Sequence, residues 1–153
     1  MQALELKVPP PVIGLLIAAA MWGVSLAATV VEVPTPIRVP VAIAIALAGV
    51  GTAISGARAF RRAKTTVNPL KPETASFLVT SGVYRFTRNP MYLGLLMVVL
   101  GWAAFLCSAL ALLGPVAFVA YITRFQIVPE ERVLIGLIGA TYSEYQARVR
   151  RWL

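Results

Sequence analysis

The sequence predicts an all-α integral membrane protein: about four transmembrane helices in two hairpins, then a helical tail at the cytoplasmic interface. Three observations carry that expectation. Of 153 residues, 59% are hydrophobic, and only 14 basic and 6 acidic side chains are available for a polar surface, too few for an ordinary soluble domain. The uncharged runs match a bilayer, since roughly 20 residues at about 1.5 Å each span ~30 Å of hydrocarbon. The basic residues gather beside those runs, where the positive-inside rule places them in the cytoplasm. The net charge of +8 is therefore not a nucleic-acid footprint, and membrane lipids are the expected surroundings.

Residues 1–11 form a short amphipathic lead ending in Pro9-Pro10-Pro11, and the uncharged residues 12–31 read as the first span. That run is long for a signal peptide, and Glu5 stands near Lys7 ahead of it, so an uncleaved helix is expected. Residues 32–40, with Pro34, Pro36 and Pro40, read as a tight turn; residues 41–57 return as the second span, ended by Arg58. Gly49, Gly51 and Gly56 lie among alanines on that span and form a surface that lets another helix approach closely. A nucleotide-binding reading of these glycines fails because no strand precedes them, so no Rossmann domain is expected.

Residues 58–88 carry seven basic residues against one acid, Glu73, which makes them a cytoplasmic loop. Pro69 and Pro72 bar a long helix there, and an irregular cover on the membrane face is expected. Residues 91–128 hold a single charge, Arg124, and have the length of two short spans. Their turn falls either at Cys107-Ser108, which divides the run evenly, or at Gly114-Pro115, the stronger turn signal. The whole reads as one multi-pass domain of the inner, cytoplasmic membrane: hairpin 12–57, loop 58–88, hairpin 89–128 and tail 129–153, with both termini cytoplasmic. Oligomeric state is not legible.

Absent residues narrow the chemistry. There is no histidine and one cysteine, Cys107, so an imidazole base, an intrachain disulfide and a thiolate or histidine metal site are all excluded. What remains is concentrated in two stretches. In the first, Asn89 suits an N-cap and Pro90 a first helical residue, and the helix N-terminus, with Arg85 and Arg88 outside it, suits a carboxylate or phosphate. In the second, Pro129-Glu130-Glu131 reads as a helix start with two acids against the dipole. Those acids could equally hold an amine, ribose hydroxyls or a sulfonium.

Beyond Gly139, Thr141-Tyr142-Ser143-Glu144 reads as a capping box that restarts a helix. Tyr142 and Tyr145 share one face with Arg148, while Arg150, Arg151 and Trp152 suit an interface anchor. Every one of these features also has a plain structural reading as cap, packing pair or anchor. Arg124 reads either as snorkelling to the interface or as a functional charge within a span.

Taken jointly, Gly82-Val83-Tyr84, Arg88-Asn89-Pro90-Met91-Tyr92-Leu93-Gly94, Glu130-Glu131-Arg132-Val133-Leu134 and Gly139-Ala140-Thr141-Tyr142-Ser143-Glu144-Tyr145 form an ordered pattern. It resembles the isoprenylcysteine carboxyl methyltransferases and their phospholipid N-methyltransferase relatives. The resemblance implies S-adenosylmethionine as cofactor and S-adenosylhomocysteine as product. It places Tyr84, Arg88, Asn89, Pro90, Tyr92, Leu93, Gly94, Glu130, Glu131, Leu134, Tyr142 and Tyr145 on the cofactor pocket at the cytoplasmic face. It also implies a lipophilic or lipid-modified substrate entering from the bilayer. Asn89 departs from the family's eukaryotic members, which carry histidine there.

A carboxylate acceptor is already ionised at neutral pH and needs no general base, which suits a chain without histidine. Arg148 first, and Arg124 second, would orient it bidentately. An amine acceptor would need a base: Glu131, Glu144 or a tyrosine. Carboxyl O-methylation of an isoprenylcysteine-like group is thus the leading expectation, ahead of amine or phospholipid N-methylation, an NADPH-dependent reductase and a non-enzymatic helical scaffold.

Overall fold

Helices make up the regular structure of the computed structural model, which describes residues 5–27, 29, 31–62 and 78–153. The α-helices are α1 (Pro10–Ser25), α2 (Thr35–Arg62), α3 (Pro90–Leu106), α4 (Leu113–Ile122), α5 (Val128–Ile138) and α6 (Ala140–Arg148). Two 3₁₀ turns, Gly82–Arg85 and Leu110–Leu112, and a π-turn at Thr123–Ile127 complete them. By length and composition, α2 and the continuous helical stretch Leu110–Ile138 can cross a membrane; α1 and α3 are apolar and shorter.

A spacing of seven residues, two helical turns, builds the central seam. Ala42, Gly49 and Gly56 are the buried residues of α2, and Gly94 and Gly101 repeat the interval on α3. The helices run antiparallel. A Cβ on Gly56 would lie 2.9 Å from Pro90, one on Gly49 2.5 Å from the Gly94 carbonyl oxygen, and one on Gly101 2.8 Å from that of Ala42. Backbones this close leave no room for side chains, the packing expected where lipid offers no hydrophobic drive between helices. Gly51 has open space around it and takes no part in the seam.

Helix α1 runs beside α3 in the same direction. The Trp102 indole donates to the Ala18 carbonyl at 3.0 Å, and buried Met21 packs on Gly114 of α4. Phe118, Ile122 and Ile127 are fully buried at the centre, while Leu15, Leu16, Leu113 and Val116 are each more than 60% exposed on the outside. Apolar side chains outside and small ones inside suit a bundle surrounded by lipid.

Several boundaries differ from the sequence expectation. The first helix occupies Pro10–Ser25 rather than 12–31; it starts early because prolines are tolerated in a first turn. It stops where the Ser25 hydroxyl turns back onto the Trp22 carbonyl at 2.7 Å. The expected turn at 32–40 is mostly helix: α2 begins at Thr35 and carries Pro40 inside it. Pro36 lacks only an N–H that a first turn leaves unpaired anyway. The helix continues past Arg58 to Arg62. Of the irregular cover expected over 58–88, residues 63–77 lie outside the described residues, and Gly82–Arg85 form a 3₁₀ turn.

Between α3 and α4 the chain turns at Cys107, held at φ 50°, and Gly114-Pro115 lies within α4. A β-branched side chain is disfavoured in that left-handed conformation. Cys107→Val should therefore destabilise the fold by about 1–2 kcal/mol, and Cys107→Gly should be tolerated, both read as shifts in thermal midpoint in detergent.

Pro129 and the two acids lie in the first turn of α5 as expected, but that turn is not a fresh start. The stretch from Leu110 to Ile138 is unbroken, because the preceding π-turn, with Val128 N–H donating to the Thr123 carbonyl, opens the helix where a proline ring would otherwise clash. Nor is there a capping box at Thr141: α6 begins at Ala140, directly after Gly139 at φ 65°, without a side-chain cap.

Candidate functional site

The end of the bundle where α3 begins and α5 runs past it gathers most of the polar chemistry. Gly82, at φ 62°, lets the chain turn into the 3₁₀ segment that buries Tyr84. The Tyr84 ring meets Phe60 of α2 edge-on, with centroids 5.2 Å apart. Asn89 sits at the N-cap of α3 as its type predicts, yet its side chain does not cap. Its Nδ2 instead donates to the Arg151 carbonyl at 2.9 Å. The same carbonyl accepts from the Thr87 hydroxyl at 3.3 Å, and Arg88 N–H donates to the Arg150 carbonyl at 3.0 Å. The start of α3 is thus stitched to the segment after α6.

Those bonds frame a buried carboxylate. Glu131 is 8% exposed. Its Oε1 forms an ion pair with Arg88 Nη2 at 3.0 Å and accepts from Arg151 Nε at 3.1 Å, and its Oε2 accepts from Arg151 Nη2 at 2.7 Å. Such a charge is tolerable only because two guanidiniums and bidentate geometry compensate its desolvation. The ion pair with Glu131 raises the Arg151 pKa. One residue earlier, Glu130 accepts a short hydrogen bond from the Tyr92 hydroxyl on α3. Arg88 Nε is buried and has no partner among the described residues. A buried donor without a partner beside a satisfied ion pair would be satisfied by an acceptor, which an anionic group would supply.

Tyr142 and Tyr145 of α6 close one side, both buried. The Tyr145 hydroxyl donates to the Tyr84 carbonyl at 2.7 Å. Burial pushes its pKa up to about 12 against the opposing pull of Arg88, and burial, reinforced by Glu131, raises that of Tyr142. Both phenols are therefore neutral donors at physiological pH.

The structure accordingly brings Tyr84, Arg88, Asn89, Tyr92, Glu130, Glu131, Tyr142 and Tyr145 to one end of the bundle. Other expected site residues are placed differently. Pro90 packs against Gly56 and Gly94 against Gly49 and Ala53, in the helix seam. Leu93 is buried, its N–H in the first-turn bond to the Asn89 carbonyl. Leu134 is half-buried on α5, a turn past Glu130. Arg148 is exposed and bonds the Glu144 carbonyl of its own helix at 3.4 Å. Arg124 pairs with Glu5 at 2.8 Å.

Two participants were missed in the sequence: Thr87, which carries no motif, and Arg151, read as an interface anchor. A buried diacid in a chain with so few acids needs more than one cation, and that was the signal for Arg151.

Beside this cluster, an apolar cavity of about 420 Å³ lies among α1, α2 and α3. Its lining includes Pro10, Gly49, Ala53, Ile54, Met91 and Tyr92, so Tyr92 belongs both to the groove and to the Glu130 bond.

Comparison with known proteins follows the same residues. A profile of the family described as phospholipid methyltransferase matches residues 37–140, covering Arg88–Gly94 and the paired acids but ending before Tyr142. A protein of Haemophilus influenzae named only as uncharacterized is 44% identical over 63 residues, 41% of this chain and 100% of that protein. Protein-S-isoprenylcysteine O-methyltransferase B of Arabidopsis thaliana is 34% identical over 91 residues, 58% of this chain and 45% of the relative. The Saccharomyces cerevisiae protein-S-isoprenylcysteine O-methyltransferase is 35% identical over 82 residues, 52% of this chain and 33% of the relative. The chain thus spans less than half the length of these two methyltransferases. No solved structure matches significantly.

Proposed function

Because the chain belongs to the phospholipid methyltransferase family, we propose that it is a membrane enzyme that transfers a methyl group from S-adenosylmethionine to a lipophilic substrate. The preferred acceptor is a carboxylate of an isoprenylcysteine-like group, as the names of the relatives suggest. The reading includes four helices crossing the cytoplasmic membrane, with the cluster at its inner face. It rests above all on one observation: the start of α3 and the paired acids of α5 converge, with Arg88 on Glu131 and Tyr92 on Glu130.

The residues present fit the cofactor. Glu130 and Glu131 supply carboxylate oxygens for a ligand's ammonium and hydroxyl groups, with the Glu131 charge already shared by Arg88 and Arg151; the open Arg88 Nε supplies a donor for its carboxylate, and Tyr142 and Tyr145 close the site from α6. When bound, S-adenosylmethionine supplies an electrophilic methyl group on a positively charged sulfur. The chain's own work is then to align the acceptor and exclude water. An apolar chain lying in the groove beside Tyr92 would bring its head group to the acids without leaving the bilayer.

Amine methylation is the second reading, favoured by the description of the matched family. It requires a base, and the candidates are poorly placed for that task. Both tyrosines are held protonated, Glu144 is exposed on α6, and both Glu131 oxygens are engaged by arginines. A carboxylate acceptor avoids the need.

Purified protein in detergent, given methyl-labelled S-adenosylmethionine with either a prenylcysteine or phosphatidylethanolamine, tests the choice. Label released as methanol by mild base is the expected result. Base-stable label in the amine lipid would transfer the assignment to N-methylation, and neither product together with no binding of S-adenosylhomocysteine would overturn the enzyme reading.

A further inference from the structure

The π-turn between α4 and α5 is held from outside its own helix. Pro129 has no N–H, so in an α-helical register the Phe125 carbonyl four residues earlier would have no donor. Leu6 N–H supplies one at 3.0 Å, with Leu6 held at φ 57°. In the other direction, the fully buried Gln126 donates Nε2 to the Val8 carbonyl at 2.8 Å. The Glu5 carboxylate completes the clasp, pairing with Arg124 at 2.8 Å and Arg132 at 3.4 Å, residues on either side of the Pro129 step.

The register of that turn decides where the acids point. A π-turn inserts one extra residue, and one residue of helix corresponds to about 100° of rotation. Phe118 and Ile122 fix α4 in the core, so everything beyond the turn is rotated relative to a continuous α-helix. The rotated register is the one in which Glu130 meets Tyr92 and Glu131 meets Arg88.

We propose that residues 5–8 are a positioning strap for the carboxylate pair: by holding the π-turn, Leu6 and Glu5 fix the direction of Glu130 and Glu131 and thereby the affinity of the cofactor site. The family match begins at residue 37 and does not cover this segment. The affinity part rests on the reading of Glu131 as a cofactor contact; the geometric part does not.

The test uses the full chain in detergent with two readouts: carbodiimide labelling of Glu131 without ligand, by mass spectrometry, and calorimetric affinity for S-adenosylhomocysteine. Leu6→Pro deletes the donor and also bars the positive φ, Leu6→Gly keeps the donor and suits that φ, and Glu5→Ala removes only the ion pairs. Labelling of Glu131 should rise in Leu6→Pro and Glu5→Ala and stay low in wild type and Leu6→Gly. Affinity should fall about tenfold in Leu6→Pro, where the Phe125 carbonyl loses its donor, and about two- to threefold in Glu5→Ala, where ion pairs to exposed arginines are lost.

A lower melting temperature with both readouts unchanged would make the strap merely structural and overturn the proposal. So would unchanged affinity in a variant whose labelling has risen. Should Leu6→Pro fail to fold, Glu5→Ala decides by the same criteria. Labelling that rises as expected in a protein whose wild type binds no S-adenosylhomocysteine would sink the cofactor reading and leave the strap standing.

Discussion

Glu131→Gln is expected to weaken S-adenosylhomocysteine binding by about a hundredfold or more, equivalent to roughly 2.7 kcal/mol at about 1.4 kcal/mol per decade. The carboxylate sits between two guanidiniums and is almost wholly withdrawn from solvent. A neutral amide keeps the volume and one acceptor oxygen but removes the charge that the ligand's ammonium group would meet and that holds Arg88 and Arg151 in place. It also leaves Arg88 and Arg151 facing each other without an anion, and removing one partner of a buried ion pair typically costs about 3–5 kcal/mol. The expected result is therefore a lower thermal midpoint together with lost affinity. Calorimetry well below the new midpoint, with circular dichroism to show retained helix, separates the two effects. A folded Glu131→Gln protein that binds undiminished would show that the buried carboxylate only braces the arginines.

Much of this arrangement was legible in the residues. Long uncharged runs gave the apolar helices, Asn89-Pro90 gave the start of α3, and the order of the motifs linked that start to Glu130-Glu131. Those signals survive because hydrophobic length, proline tolerance in a first turn and buried charge pairing are properties of residue types. What escaped was carried by backbone. The Arg151 carbonyl that holds Asn89 and Thr87 could belong to any residue, and so could the Leu6 N–H that reaches Phe125. The π-turn was hidden for a related reason: Pro129 reads as a helix start wherever nothing else supplies the missing donor. Gly139 was read correctly as an interruption, but the Thr141 box was not used, because glycine at positive φ already resets the chain one residue before Ala140.

Gly94 separates a motif's sequence role from its structural one. The family resemblance puts it on the cofactor pocket, whereas its position puts it in the α2–α3 seam. A Cβ there would lie 2.7 Å from the Ala53 amide nitrogen and 2.8 Å from the Ala53 Cβ, and neither atom can swing aside as a flexible side chain would. Gly94→Leu is accordingly expected to force the helices apart at the point where Gly49 and Gly94 each lie against the other's carbonyl oxygen. Overpacking of this kind costs about 3 kcal/mol or more. At about 2–4 °C per kcal/mol for a chain of this size, the thermal midpoint should fall by roughly 10 °C. Gly51→Leu, placed two residues from Gly49 in open space, should leave the midpoint within a degree or two and serves as the control for added bulk. The milder Gly94→Ala then assigns the role. If it lowers the midpoint while the folded protein binds S-adenosylhomocysteine as wild type does, the glycine exists for helix approach. A midpoint unchanged with affinity lost would return Gly94 to the pocket and would require the seam to yield in a way that two facing backbones do not.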